Sequence, residues 1–359
     1  MSNEVIYEDL IAFHPGSYVE DIVDDLNITQ TEFAERLGTS PKSISKIING
    51  EEGISKDMAN KLSKLTGISN KTWLNLQTEY DLKVMEIEEN KREDEKVVCK
   101  LIDFSYFKKV NLVENKNYSL KDKIQELRKL LNISNLSFLN DFNSSVSYRN
   151  TKAFEAKSIV NSNVLLEIAT NIARNKSEKS LDTKRLEKYF PEIKKMTLQN
   201  PEVFYPRLEE ILLECGIVLV GLPHLKNANL QGATKKFKNG SVLLLITDRK
   251  KDADIFWFSL VHELGHIYNK DFYSNYEDED LYSKKESEAD KFSQDFLIDP
   301  DIYNRFISES DINRSTILKL AEELEINPSI LVGRLQNDKL LDYHKYYDLK
   351  TKYSFSFSS

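Results

Sequence analysis

A chain of 359 residues, 40% hydrophobic and 30% charged, is long enough for two or three globular domains. Its net charge of −8 puts any nucleic-acid contact on a local patch rather than on the overall field. No apolar run is long enough for a transmembrane helix, and the acid-bearing N-terminus lacks the pattern of a secretory signal. Two isolated cysteines, Cys99 and Cys215, suit a reduced cytoplasmic protein in which both are core residues.

Residues 18–80 read as a set of short helices. Thr29 followed by Glu32 is a capping-box pattern that opens a helix through Phe33, Ala34 and Leu37. Gly38 stops it, and Ser40-Pro41 starts the next as cap and first-turn proline. That second helix buries Ile44, Ile47 and Ile48 and ends at Asn49-Gly50. Two such helices joined by a tight glycine turn make a helix-turn-helix. With the isoleucines inward, Ser40, Lys42, Ser43 and Lys46 are the polar residues left outside. No acid lies between Thr39 and Gly50, so this face is locally positive although residues 1–80 hold 7 Lys/Arg against 13 Asp/Glu. Further helices, from Ser55 to about Leu65 and from Lys71 to about Lys91, close the small core, with Trp73 and Leu74 as anchors.

The run from Glu88 to Lys96 is charged throughout and reads as a solvated helix end or linker. Residues 83–200 are mostly helical and polar, and are expected to be a connector or dimerisation region. From Ile211 the pattern turns to β, with strand-length apolar runs at Gly216–Leu222 and Ser241–Thr247 around a turn-rich stretch. A helical pattern from about Asp254 to Tyr268 follows, which marks an α+β domain.

That helix carries His262-Glu263-Leu264-Gly265-His266, an HExxH sequence. Residues four apart share a helix face, so both imidazoles reach one ion, while Glu263 sits beside it and is placed to take a proton from water. A third histidine at the extended spacing is absent, since Asn269 and Phe272 occupy the diagnostic places. Downstream, Ala289, Phe292 and Phe296 form an apolar stripe on a second helix that also carries Glu286, Glu288 and Asp290. Glu286 ranks first as third ligand and Glu288 second. Asp290, one turn after Glu286, is placed to bond the free N–H of a ligand histidine. The set implies Zn²⁺, with Mn²⁺ as the other metal, at the open site of a hydrolase. Ser241–Thr247 is a candidate to receive an extended peptide by strand addition. His224, Arg249 and Tyr273 are candidate oxyanion stabilisers.

The stretch LPHLKNANLQGATKKF, then SVLLLITDRKKDADIFWFSLVHELGHIYN and ESEADKFSQDFLIDP, resembles the ImmA/IrrE family of metallopeptidases over roughly residues 200–300. The resemblance implies metal ligands at His262, His266 and Glu286 with Glu263 as base. The family's LLMP ending is here Leu297-Ile298-Asp299-Pro300, a departure beside the helix end. Residues 14–82 resemble HigA-type, XRE-like helix-turn-helix antitoxins and repressors, which implies that Gln30 and the first turns of the Ser40–Asn49 helix face DNA.

The expected fold is mainly α. It comprises an all-α helix-turn-helix at 14–82, the connector at 83–200, an α+β zincin-like domain at 201–300 and a helical extension at 301–359. The expected function is that of a DNA-binding, homodimeric regulator that cleaves a specific protein such as a repressor or toxin. The competing expectation is a HigA-like antitoxin or repressor that cuts nothing and keeps its metal for structure or regulation. Operator DNA and a protein substrate or cognate toxin are the expected partners, with no membrane.

Overall fold

The computed structural model describes residues 4–7, 9–91, 93–140, 156–272 and 279–355. The chain divides into two compact units, Met1–Glu93 and Asp94–Ser359. None of the described helices is long and apolar enough to cross a membrane.

The first unit opens with strands β1 (Glu4–Tyr7) and β2 (Leu10–Phe13), an antiparallel hairpin in which Ile6 faces Ile11. This hairpin lies ahead of the all-α helix-turn-helix expected at 14–82, and β2 is held by packing on a helix of the unit. Five helices follow: α1 (Gly16–Asp25), α2 (Gln30–Leu37), α3 (Pro41–Ile48), α4 (Lys56–Thr66) and α5 (Asn70–Lys91). The Thr29 hydroxyl caps α2 by accepting from the Glu32 N–H, and Gly38 ends it in the left-handed conformation at φ 64°. Ser40 caps α3 through the Ser43 N–H, and Pro41 fills its first turn. Phe33, Ile44, Ile47, Leu62 and Trp73 are buried together at the centre. Gly16 starts α1 where a Cβ would stand 1.9 Å from the Ile47 carbonyl oxygen, so only glycine lets α1 cross α3 this closely.

The second unit begins with α6 (Glu93–Leu101), α7 (Ser105–Lys109), α8 (Leu120–Leu131) and α9 (Ala156–Ala173). Helices α10 (Thr183–Lys195) and α11 (Pro201–Glu214) lead into strands β3 (Ile217–Leu222), β4 (Gly232–Lys236) and β5 (Val242–Thr247). Then come α12 (Ala253–Tyr268), α13 (Glu279–Leu297), α14 (Pro300–Glu309), α15 (Arg314–Glu323) and α16 (Pro328–Asn337). The strands lie in the order β3-β5-β4, with β5 parallel to β3 and antiparallel to β4.

Helices cover both faces of this sheet, which is why β5 is apolar at almost every position. Val242, Leu244 and Ile246 face a core that includes α11, α12 and α16. Leu243 and Leu245 face a second core built with α8 and α9. Two expected boundaries therefore do not exist. Residues 156–173 are no part of a free connector, since α9 packs on β3 and β5 and supplies one layer of the domain. The described part of the expected 301–359 extension, residues 301–355, is no extension, since α16 packs on α12 and the chain beyond it is tied to the start of that helix. There the Ala253 N–H donates to the Thr351 carbonyl, and Lys350 and Lys352 reach Asp254 and Asp252.

The sheet order also corrects the expected docking strand. Among the described residues β5 is paired on both sides, so Ser241–Thr247 has no edge to offer a peptide. The outer edges belong to β3 and β4.

Candidate functional site

Helix α12 is apolar around most of its circumference because it lies between the sheet, α13 and α16. Phe256, Trp257, Leu260, Val261, Leu264 and Ile267 are all buried. Polar groups at such depth are costly unless partnered, yet His262, Glu263 and His266 are only 5%, 3% and 1% exposed. Gly265 lets α13 approach, since a Cβ there would meet Phe292 at 3.0 Å. The Phe292 and Phe296 rings pack on Phe190, and Lys285 bonds Asp271 at 2.7 Å, fixing α13 beside the end of α12.

This packing brings Glu286 onto both imidazoles. Its carboxylate oxygens lie 3.4 Å from His262 Nε2 and 3.2 Å from His266 Nε2, and the two nitrogens are 3.0 Å apart. One donor atom from each of the three residues falls within 4.8 Å of the others. His262 Nδ1 stands 2.8 Å from Asp290 Oδ1, an arrangement in which an Nδ1–H donates to the carboxylate and Nε2 keeps its lone pair. Burial alone would raise the Glu286 carboxyl. Hydrogen bonds and charge from His262 and His266 outweigh it and hold the group well below the usual carboxylate range.

The donor set suits a divalent cation. Two imidazole nitrogens and a buried carboxylate this close together repel unless a proton or cation lies among them. With metal–nitrogen bonds of about 2.0–2.1 Å, a tetrahedral site has donor–donor edges of roughly 3.3 Å, close to the spacings seen. Glu288, the other ligand candidate, points elsewhere: its side chain is 51% exposed and lies 3.9 Å from Lys284.

Glu263 faces the sheet. A Cβ added at Gly232, the first residue of β4, would stand 2.7 Å from Glu263 Cγ and 2.8 Å from Oε1. The edge strand therefore lies directly against the carboxylate. Sequence reasoning passes over this contact because GATKK does not alternate apolar and polar residues. The available signal is a glycine in a short strand, which marks close approach.

Of the oxyanion candidates, His224 is tied through its backbone to Asp248, with Arg249 nearby. The His224 N–H donates to Asp248 Oδ1 in the turn after β3, and burial followed by the Arg249 charge lowers its imidazole. Asp248 in turn accepts from the Phe355 N–H, so His224 belongs to a structural tie of the C-terminal chain. Tyr273 lies outside the described residues.

In the first unit, Gln30, Ser40 and Lys42 are exposed at the starts of α2 and α3. Ser43 and Lys46 are half-buried on α3, Ser43 sharing a 3.0 Å hydroxyl contact with Ser40. Lys46 Nζ lies 3.9 Å from Glu52, a loose pairing that leaves its side chain 43% exposed. The Ser40 oxygen already serves as the α3 cap, so it has less to give to a ligand than its exposure suggests.

A helix-turn-helix family model matches residues 20–69. The uncharacterised HTH-type transcriptional regulator YddM of Escherichia coli (strain K12) is 35% identical over 68 residues, 19% of this chain and 72% of that protein. Virulence-associated protein A' of Dichelobacter nodosus is 46% identical over 70 residues, 19% of this chain and 61% of its own length. Among solved structures, a putative antidote protein of a plasmid maintenance system from Nostoc punctiforme is 42% identical. It covers 24% of this chain and 93% of its own, at a TM-score of 0.23. Matched over 72% of a relative's length, and with the family's helices folded in its first unit, the chain belongs to the helix-turn-helix family of transcriptional regulators.

Proposed function

We propose that this protein is a DNA-binding regulator whose second unit is a zinc-dependent endopeptidase, resembling the ImmA/IrrE enzymes, that cleaves a specific protein such as a repressor or toxin. The observation that carries the catalytic half is the buried convergence of His262, His266 and Glu286 with Glu263 beside them. A purely structural site would have no use for a fourth buried group, an acid, at that position.

His262, His266 and Glu286 would hold the metal, Zn²⁺ by ligand type with Mn²⁺ as the other fit. When bound, the ion supplies Lewis acidity, polarising a carbonyl and easing deprotonation of water. Asp290 keeps His262 in the tautomer that presents Nε2. Glu263 accepts the proton of the attacking water and returns it to the leaving amine. The backbone of β4, an edge strand against Glu263, is the place for an extended segment to align by main-chain hydrogen bonds. In the first unit, Gln30 and the start of α3 would meet operator DNA, with Lys42 and Lys46 supplying charge. A homodimer on a two-fold operator is the matching assembly.

The test is Glu263→Gln, which keeps size and hydrogen bonding and removes the base. The variant should retain metal, fold and operator binding while target cleavage falls by about 10²–10⁴-fold. Comparison of protein abundance in cells carrying wild type and variant would reveal the target as the protein that persists. A variant indistinguishable from wild type in repression and in every abundance would instead establish the non-cleaving antitoxin or repressor.

A further inference from the structure

Strand β4 presents its open edge and its active-site face through the same residues. The Gln231 carbonyl accepts from the Thr247 N–H, and the Phe237 N–H donates to the Ser241 carbonyl, so these alternate positions turn their main-chain groups to β5. Between them, Gly232, Thr234 and Lys236 turn theirs to the open side. The side-chain positions of these three share one face, that of α12. Gly232 abuts Glu263, and Lys236 Nζ lies 5.5 Å from the centroid of the Phe272 ring, just past the end of α12.

The two neighbouring lysines of β4 differ in what they meet. Lys235 points to the opposite face, where its Nζ lies 3.6 Å from the buried Glu167 carboxylate and 3.4 Å from the Thr170 hydroxyl. Lys236 is exposed and, among the described residues, has the Phe272 ring as its sole partner. Asp271, beside that ring, is already taken by Lys285 at 2.7 Å. A ring face holds an exposed ammonium weakly and leaves its charge uncancelled. The open edge thus has an uncompensated cation at one end and Glu263 against the other, four residues of strand or about 13 Å away.

Resting on the peptidase reading above, we propose that Lys236 selects an acidic side chain in the substrate, four residues from the one that lies beside Gly232. A peptide added to this edge pairs its residues with Gly232, Thr234 and Lys236, and directly opposed side chains stand about 4.5–5.5 Å apart at Cβ. A carboxylate opposite Lys236 cancels its charge. A basic side chain there is repelled, and an aliphatic one desolvates the ammonium without return. Lysines also sit on edge strands simply to discourage pairing with other chains, but that role is indifferent to the charge of an arriving peptide.

The experiment uses the zinc-loaded full chain carrying Glu263→Gln to select from a phage-displayed random dodecapeptide library, read by sequencing. Selected peptides are then synthesised and cut by zinc-loaded wild type, which fixes their register. Aspartate and glutamate should be enriched about two- to fivefold at one position about four residues from the cut, the scale of an exposed ion pair. With Lys236→Glu added and zinc shown to be retained, that position should turn to lysine and arginine. Lys236→Gln, the milder change, should flatten the preference, and Lys235→Gln should leave it. An apolar, basic or absent preference at that distance overturns the role of Lys236 alone, as does acid enrichment that survives both Lys236 variants. Peptides that wild type leaves whole, or no selection at all, sink the peptidase reading and this one with it.

Discussion

Two positions on α13 decide whether an acid would hold the proposed metal or face water. A helix turns about 100° per residue, so Glu286 and Glu288 point roughly 200° apart. Glu286 meets both imidazoles while Glu288 meets Lys284. Glu286→Ala should therefore strip the bound zinc, and Glu288→Ala should leave about one equivalent, as measured by plasma mass spectrometry on dialysed protein. Metal loss with Glu288→Ala and retention with Glu286→Ala would reverse the assignment. Asp290 is a different case, because it acts through His262; Asp290→Asn should weaken affinity by about 10–100-fold without abolishing the site. The HExxH spacing and the ExxxD that follows make these residues readable from sequence, since both are one-turn relations on a helix. Asp254 and Gly232 were not readable, because their neighbours come from α16, the C-terminal chain and α12, far away in sequence.

At the scale of elements, the sequence was clearest where a local signal and the fold agree. Thr29, Gly38, Ser40 and Pro41 mark the limits of α2 and α3 because caps and left-handed glycines act on their own helix. It was least clear where an element exists only through its partner. Strand β4 carries two lysines and is a strand because β5 offers its edge. Helix α9 is buried around its circumference while carrying Asn161, Asn163 and Glu167, so no apolar stripe announces the sheet beneath it. Its asparagines donate to backbone carbonyls at Leu101 and Leu139, a long-range pairing that periodicity does not record. Helix α3, proposed to face DNA, allows a sharper expectation. Lys42 is exposed, whereas Lys46 must give up Glu52 to reach a phosphate. Lys42→Ala should weaken operator binding more than Lys46→Ala, and removal of each lysine–phosphate pair should reduce the salt-dependence slope by roughly one. Gel shifts across a salt series check this. Equal affinity and slope for Lys42→Ala and wild type would remove α3 from the interface.

The whole molecule joins two units with different sources of stability. Residues 1–93 enclose a small core around Phe33, Ile44 and Trp73 and contain none of the metal-site residues. Residues 94–359 hold the sheet, its two cores and four buried acidic or imidazole groups whose mutual repulsion a cation would relieve. Ligand that binds only the folded state adds about 4 kcal/mol when its free concentration is a thousand times Kd. For a unit of this size that is a shift on the order of 10 °C. Calorimetry of the full chain should accordingly show a transition for the second unit that falls by that order on addition of a chelator and returns with zinc. The transition of the first unit, identified by the same scan on residues 1–93 expressed alone, should stay where it is. If the chelator moves neither transition in protein shown to contain zinc, His262, His266 and Glu286 do not hold it. If it moves the first unit's transition as far as the second's, the two units do not melt independently and the division at Glu93 is not a thermodynamic one.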